Sequence, residues 1–332
     1  MTNHPTQPTM AITRAVPVRG QPAGVAPSIP GFAVRMAPGS PQMTRAEQLA
    51  FVRGADAVVT MFHDKVDAEF LAAVGPRLKA VCNFAVGIDN IDLAACKAAG
   101  VAVANTPDAV TEGTANMAWA LILAVARRLV EGDKACRTGQ FEREGNGFPV
   151  GWMGMHLAGQ TLHIVGAGRI GRAVALRGMA FGMRVIYSAR SRHMDFELAP
   201  IVAERVELDE GLRRADVISL HTPLTPDTRH LINHDRLALL KPTAILVNTA
   251  RGPVVHEAAL VEALKARRLW GAGLDVFEFE PKVDPGLIGL DNVVMAPHIG
   301  SAEQKWREEM TDLALGAAAA ILRGQRPANL VA

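Results

Sequence analysis

Apolar residues in this chain follow two rhythms that alternate along its length: short solid runs, and longer stretches in which they recur every three or four positions. The runs at 57–60, 79–83 and 101–104 read as strands buried on both faces, and the stretches at 67–74 and 91–99 between them read as helices. Such alternation specifies a small parallel α/β unit. Thr44 followed by Glu47 has the form of a capping box that opens another short helix. Ahead of it the pattern degrades. Residues 11–18 have strand character, but Pro17, Pro22, Pro27 and Pro30 with Gly20, Gly24 and Gly31 exclude a helix, so the segment up to residue 35 is expected to run extended over the surface.

After the break at Thr106-Pro107-Asp108 the rhythm changes. Residues 114–129 are apolar on nearly every helical face, which predicts a helix buried between domains or between subunits. The glycine- and aromatic-rich stretch 139–152 reads as a loop. A second strand series follows at 161–165, 183–187, 217–221, 244–248, 273–276 and 293–295. Ser301 with Gln304 then predicts a capped helix running to Arg323, stopped by Gly324 and Pro327. That helix comes after the second unit is complete, so it is expected to pack back on the first. The expected division is residues 1–106 with 300–332 as one domain and 107–299 as the other.

Composition narrows the function. At 332 residues the chain suits two cores, and 49% hydrophobic residues, 20% charged residues and a formal net charge of +2 point away from nucleic acid and anionic membranes. The strongly apolar run 117–126 has about half of the ~20 residues that a membrane helix needs. The polar opening Met1–Met10 lacks the pattern of a signal peptide, so a cytoplasmic location is expected. Cys82, Cys96 and Cys136 have no metal-ligand spacing; each is expected to be a small buried side chain, and no metal site is expected.

The candidate chemistry starts at Thr161-Leu162-His163-Ile164-Val165-Gly166-Ala167-Gly168-Arg169-Ile170-Gly171, a strand, a tight glycine turn and a helix start. Gly166 permits the turn, Gly168 lets the backbone approach a diphosphate, and Gly171 lets the helix lie close on the sheet, with the anion facing free helix N–H groups. An acid at the end of the following strand would bind the ribose hydroxyls of NAD. Here the residues are Ser188-Ala189-Arg190-Ser191-Arg192. Guanidinium and hydroxyl groups suit a 2′-phosphate, so NADP is preferred and NAD possible, unless these arginines are merely solvated loop charges. Arg251, Glu280 and His298 follow later strands of the same unit. Imidazole suits proton donation to a reduced carbonyl, a carboxylate behind it favours the charged ring, and a guanidinium can grip a substrate carboxylate. His221, His230 and His234 rival His298 on spacing alone, and Arg251 with Glu280 has the alternative of a surface pair.

The glycine turn, Phe181-Gly182-Met183, His221-Thr222-Pro223-Leu224-Thr225, Val247-Asn248-Thr249-Ala250-Arg251-Gly252, Gly273-Leu274-Asp275-Val276-Phe277-Glu278, Glu280-Pro281 and Pro297-His298-Ile299-Gly300-Ser301 together resemble the D-isomer-specific 2-hydroxyacid dehydrogenases. The likeness runs from about residue 57 to 323. It implies a Rossmann dinucleotide-binding domain inserted into a discontinuous flavodoxin-like substrate domain, both α/β with parallel sheets, usually in a homodimer. It places the catalytic set on Arg251, Glu280 and His298, substrate-carboxylate amides at Val86 and Gly87, Asp275 near the nicotinamide amide, and Thr222 beside the cofactor. Thr114, Arg169, Ile170, His221, Thr249 and Gly300 complete the candidate cofactor shell. The end of the strand at 187–190 is similar to that of NADPH-preferring glyoxylate, hydroxypyruvate and 2-ketogluconate reductases. Glu280 counts against the formate dehydrogenase branch, and Val86 against the phosphite branch. The expected partner is thus a small 2-oxo acid. The alternatives are an NAD-dependent member such as a phosphoglycerate dehydrogenase, and a dinucleotide-sensing corepressor-like protein. One departure is the Pro/Gly-rich stretch where the family has a helix. Phe148 or Trp152 is a conjectural contribution from a partner subunit.

Overall fold

The computed structural model describes residues 7–145 and 150–332. It contains two compact units, Met1–Val110 with Ser301–Ala332, and Thr111–Gly300. The junctions are at 110/111 and 300/301, against the expected 106/107 and 299/300.

In the first unit, β1 (Thr9–Ile12), β2 (Ala33–Met36), α1 (Arg45–Phe51), β3 (Ala57–Met61), α2 (Ala68–Val74), β4 (Ala80–Phe84), α3 (Leu93–Ala98) and β5 (Ala102–Ala104) build one parallel sheet in the order β2-β1-β3-β4-β5. That is the flavodoxin-like order. Every residue of β3 and β4 is buried, as continuous apolar runs require when helices cover both faces. Val58, Phe70, Val81 and Val103 meet in the core. Thr44 and Glu47 form the capping box, and Asp67 and Asp92 cap α2 and α3 through their side chains.

Two expectations are corrected here. β2 escaped the pattern analysis because its residues lie at a half-exposed sheet edge next to a proline-rich segment. The C-terminal helix spans Gln304–Leu322 and packs on β3 and β4, but its N-cap is Glu303, with no side-chain cap bond, instead of Ser301. The stretch between β1 and β2 holds no helix and is strapped to that C-terminal helix. Thr311 Oγ1 donates to the Pro17 carbonyl at 2.7 Å, and Arg19 pairs with Asp312 at 3.2 Å.

The second unit begins with α4 (Thr111–Ala126), α5 (Leu129–Arg137) and α6 (Gln140–Glu144). It continues with β6 (Thr161–Val165), α7 (Arg169–Ala180), β7 (Arg184–Ser188), α8 (Met194–Glu197), β8 (Glu204–Arg205), α9 (Leu208–Arg214), β9 (Val217–Leu220) and α10 (His234–Leu237). β10 (Ile245–Asn248), α11 (Glu257–Lys265), β11 (Gly271–Leu274) and β12 (Val293–Met295) complete it. The parallel sheet runs β12-β11-β10-β9-β6-β7-β8, so winding reverses between β6 and β9, the doubly wound Rossmann arrangement with its crevice at that switch.

The apolar helix α4 lies on this unit's own sheet, against β10, β11 and β12. Glycines in β11 allow the approach: a Cβ on Gly273 would lie 2.7 Å from the Leu121 Cβ. The helix also ends sooner than expected, because Arg128 turns the backbone left-handed at φ 53° before α5 begins. The stretch 139–152 contains α6 where a loop was expected, and Phe148 lies outside the described residues. Cys82 and Cys96 are buried, whereas Cys136 is exposed.

Candidate functional site

The glycine turn sits at the switch point, and its geometry explains its composition. Gly166 has φ +103°, and a Cβ there would lie 2.6 Å from the His221 carbonyl oxygen, so the ends of β6 and β9 nearly touch. A Cβ on Gly171 would lie 2.3 Å from the Gly166 carbonyl oxygen; its absence lets α7 start tight on the turn. Gly168 is the N-cap of α7 and open to solvent, Arg169 is exposed at the helix start, and Ile170 is half-buried behind it. The turn therefore presents a helix N-terminus to an anion.

Two buried hydroxyls nearby, Thr222 Oγ1 after β9 and Thr249 Oγ1 after β10, have no hydrogen-bond partner. Buried polar groups are almost always paired. Orphaned hydroxyls beside an open diphosphate cradle are what a bound dinucleotide would satisfy, and the residues present therefore fit that cofactor. His221 continues the β6–β9 ladder, its N–H donating to the Val165 carbonyl at 2.7 Å, and its Nε2 lies 2.8 Å from Ser219 Oγ. Burial drives its pKa down to about 3. This neutral ring is no rival for proton donation near neutrality.

At the end of β7 the candidate residues divide. Ser188 is buried, and its hydroxyl donates to the Val206 carbonyl at 2.9 Å while meeting His163 Nε2 at 2.8 Å, so it is already engaged within the protein. Arg190 and Ser191 are exposed, and Arg190 has no carboxylate partner among the described residues. Arg192, by contrast, is engaged by Glu197, which also accepts from the Tyr187 hydroxyl at 2.6 Å; these bonds, the arginine's first, hold the Glu197 carboxyl down at about 2. Arg205 donates to the Ala189 carbonyl at 2.9 Å and so braces the loop. His163, with Arg205, is a supporting residue that pattern reading missed. Its ring is wholly buried, its Nδ1 is unpartnered, and a Cβ on Gly211 would lie 2.3 Å from it. Histidine in a central strand gives no periodic signal that separates it from a leucine.

The proposed catalytic groups come from the ends of three adjacent strands. After β12, His298 has φ +54°, a left-handed conformation that costs a non-glycine residue about 1–3 kcal/mol and is held here by its surroundings. Its N–H donates to the Asp275 carbonyl at 2.8 Å. The Asp275 carboxylate accepts the Ile299 N–H at 2.8 Å and the Gly300 N–H at 2.7 Å. A Cβ on Gly300 would crowd Asp275 Oδ2 at 2.8 Å, with Thr114, buried in the first turn of α4, at 3.6 Å. Asp275 thus forms the strut under the histidine turn; its burial raises its carboxyl pKa against the lowering effect of these amides and of His298.

His298 Nδ1 lies 2.8 Å from Glu280 Oε2, and the Phe277 N–H donates to Glu280 Oε1 at 2.9 Å. Burial alone would raise the Glu280 carboxyl. The bond and charge of His298, the Phe277 amide and the Arg251 charge outweigh that and hold it below its ordinary value. Arg251 follows β10 in a turn fixed by buried Asn248, whose Nδ2 donates to the Arg251 carbonyl at 2.9 Å and whose Oδ1 accepts the Ala250 N–H at 3.0 Å. Of the four histidine candidates, only His298 is paired to a carboxylate that also feels Arg251.

Val86 and Gly87 lie in the first unit. Their carbonyls accept from Asn105 Nδ2 at 2.8 Å and Asn83 Nδ2 at 2.7 Å, and neither N–H donates to a protein acceptor among the described residues. Buried Asn83, itself bonded to Asn90, is a supporting residue that went unnoticed in the sequence, because asparagine inside a strand reads as a weak former. The amide pair suits an anion. Among the described residues there is no group of three potential metal ligands, and no helix long and apolar enough to cross a membrane.

A doubly wound sheet with an open diphosphate cradle at its switch point, and an ionised acid–imidazole pair on neighbouring strand ends, defines a dinucleotide-dependent oxidoreductase. Residues 119–300 match the NAD binding domain of the D-isomer specific 2-hydroxyacid dehydrogenases. A glyoxylate reductase of Thermococcus onnurineus is 46% identical over 98% of this chain and 96% of its own length. The structure of an NADPH-dependent glyoxylate/hydroxypyruvate reductase of Sinorhizobium meliloti, in complex with NADP and malonate, superposes with a TM-score of 0.82 at 30% identity, covering 98% of this chain and 97% of that one. The chain belongs to the D-isomer specific 2-hydroxyacid dehydrogenase family and is an NAD(P)-dependent enzyme.

Proposed function

We propose that the enzyme reduces a small 2-oxo acid of the glyoxylate, hydroxypyruvate or 2-ketogluconate type to the D-2-hydroxy acid, using NADPH, with His298 as general acid. The observation that carries this reading is the 2.8 Å contact of His298 Nδ1 with an ionised Glu280. In this reading Nε2 gives its proton to the oxygen that becomes a hydroxyl, and the carboxylate at Nδ1 favours the charged ring that can give it. Bound NADPH supplies the hydride. Arg251 grips the substrate carboxylate and polarises the carbonyl without depending on pH. In the same reading the Val86 and Gly87 amides bind the substrate carboxylate, and Thr222 and Thr249 hold the cofactor. Exposed, carboxylate-free Arg190 supports the choice of NADPH, as does the NADPH-dependent Sinorhizobium meliloti reductase, while the relatives named glyoxylate reductase support the substrate class. A homodimeric state and a cytoplasmic location complete the proposal.

The test is His298→Asn assayed with NADPH and glyoxylate. A turnover loss of about 10³-fold is expected, within the range for a general acid, with NADPH affinity by fluorescence titration unchanged. Joint loss of turnover and cofactor binding would make His298 a structural residue and overturn the assignment.

A further inference from the structure

Two acids near the site, Glu257 at 5% exposure and Glu278 with its side chain at 6%, have no part in the chemistry above. Their hydrogen bonds are specific. Glu257 Oε2 accepts the Glu278 N–H at 2.8 Å, and Glu257 Oε1 accepts the Asp284 N–H at 3.2 Å. One carboxylate at the start of α11 therefore closes both ends of the loop 278–284, and Glu280 stands inside that loop. Glu278 returns the contact, its Oε2 accepting the Glu257 N–H at 3.0 Å. Its Oε1 lies 2.6 Å from His230 Nε2 and 3.8 Å from Arg229. The His256 ring packs 4.6 Å from that of His230.

We propose that Glu257 is a positioning residue for the reaction, clamping the neck of the loop 278–284 so that Glu280 meets Nδ1 of His298. The inference rests on the assignment of His298 and Glu280 above. Glu280 has a single backbone bond of its own, to Phe277, the residue just before the clamped segment. Without the clamp the loop ends part and the acid drifts from the ring. Burying a carboxylate beside Glu278 and Asp284 is costly, and burial together with those two neighbours raises the Glu257 carboxyl despite the amides it binds. A site that needed only packing would be served by an apolar side chain.

Glu257→Gln keeps the shape but leaves one acceptor oxygen for two amides. For reduction of glyoxylate by NADPH, kcat is expected to fall about tenfold, the scale of one charge-assisted hydrogen bond, with KM and NADPH affinity little changed. The alkaline limb of the kcat profile is expected to move to lower pH, because a looser Glu280 stabilises the imidazolium less. Glu280→Gln, measured in parallel, gives the full size of that movement. A native rate, or a lower rate with the limb in place, overturns the clamp while leaving the acid assignment standing. An unmoved limb in Glu280→Gln itself overturns the acid assignment and the clamp with it. Should Glu257→Gln not fold, Glu257→Asp, which keeps the charge but shortens its reach to the two amides, is judged by the same criteria.

Discussion

Gly252 offers a test of how tightly the catalytic segments interlock. It follows Arg251 directly, and a Cβ placed on it would lie 1.8 Å from the Phe277 carbonyl oxygen and 2.5 Å from the Glu278 nitrogen. Such contacts are essentially never shorter than 3.0 Å, and both atoms belong to backbone. Gly252→Ala must therefore open this contact by about 1 Å, a displacement that catalysis can register at about 10²-fold in rate. One wall of the gap carries Arg251 and the other leads to Glu280, so whichever side yields, a proposed catalytic group moves. The strain is expected to lower stability by about 1–3 kcal/mol, as overpacking does. The diphosphate cradle between β6 and β9 is untouched, so NADPH affinity should survive. The assay is kcat for NADPH-dependent glyoxylate reduction, beside thermal melting and cofactor titration of the same preparation. A folded Gly252→Ala enzyme whose kcat stays within about threefold of native, under 1 kcal/mol, would refute the interlocking argument.

Two further outcomes follow from other parts of the second unit. Arg190→Ala should weaken NADPH binding by roughly 10- to 100-fold, the worth of a charge-assisted contact to a 2′-phosphate, and leave NADH nearly unchanged; equal weakening of both would remove the 2′-phosphate reading. His163 is held neutral, with burial and then the Arg214 charge lowering its pKa from 6.5 to about 3, so the unfolded chain binds its proton more tightly. Its contribution is favourable above pH ~6.5 and is lost as pH falls towards 3, by up to ~1.4 kcal/mol per pH unit. Melting at pH 7 and pH 5 should show a smaller pH difference for His163→Gln than for the native chain, and equal differences would show that the ring is not the group responsible.

What the sequence disclosed and what it concealed divide along physical lines. The buried strands, the glycine turn and the capping box at Thr44 were legible because each is written in residues close together in the chain: solid apolar runs, Gly166 where φ is positive, a hydroxyl three residues before an acid. The edge strand β2 and the one-turn helix α8 were not, since neither buries enough of itself to impose a period. The early end of α4 was hidden for another reason. Arg128 takes a left-handed conformation that no local rule assigns to arginine, and its guanidinium, bonded to Glu131 at 2.8 Å, is what accompanies it. Within the site, Arg251, Glu280 and His298 stood out as chemistry-bearing types beyond strand ends. The buried polar residues Asn83, His163 and Glu257 did not, because a buried polar residue declares its role only through its partners in the fold, as Asp284 is to Glu257.

Topology then explains why residues so far apart in the chain become neighbours. β10, β11 and β12 are adjacent and parallel, so their carboxyl ends lie side by side at strand spacings of about 4.8 Å. Arg251, the loop bearing Glu280, and His298 each follow one of these ends, which makes their proximity a consequence of register and not of loop length. The loops still have to be aimed. Asp275, at the end of the middle strand, binds both amides of the turn after His298, and Glu257 binds both ends of the loop around Glu280. Both aiming groups are carboxylates buried at a cost in desolvation. In the proposed mechanism the sheet brings the reacting groups within reach, and buried acids convert that reach into alignment. On this argument, substitutions at the aiming acids should act on kcat and its pH profile, whereas substitutions at the cradle between β6 and β9 should act on cofactor affinity.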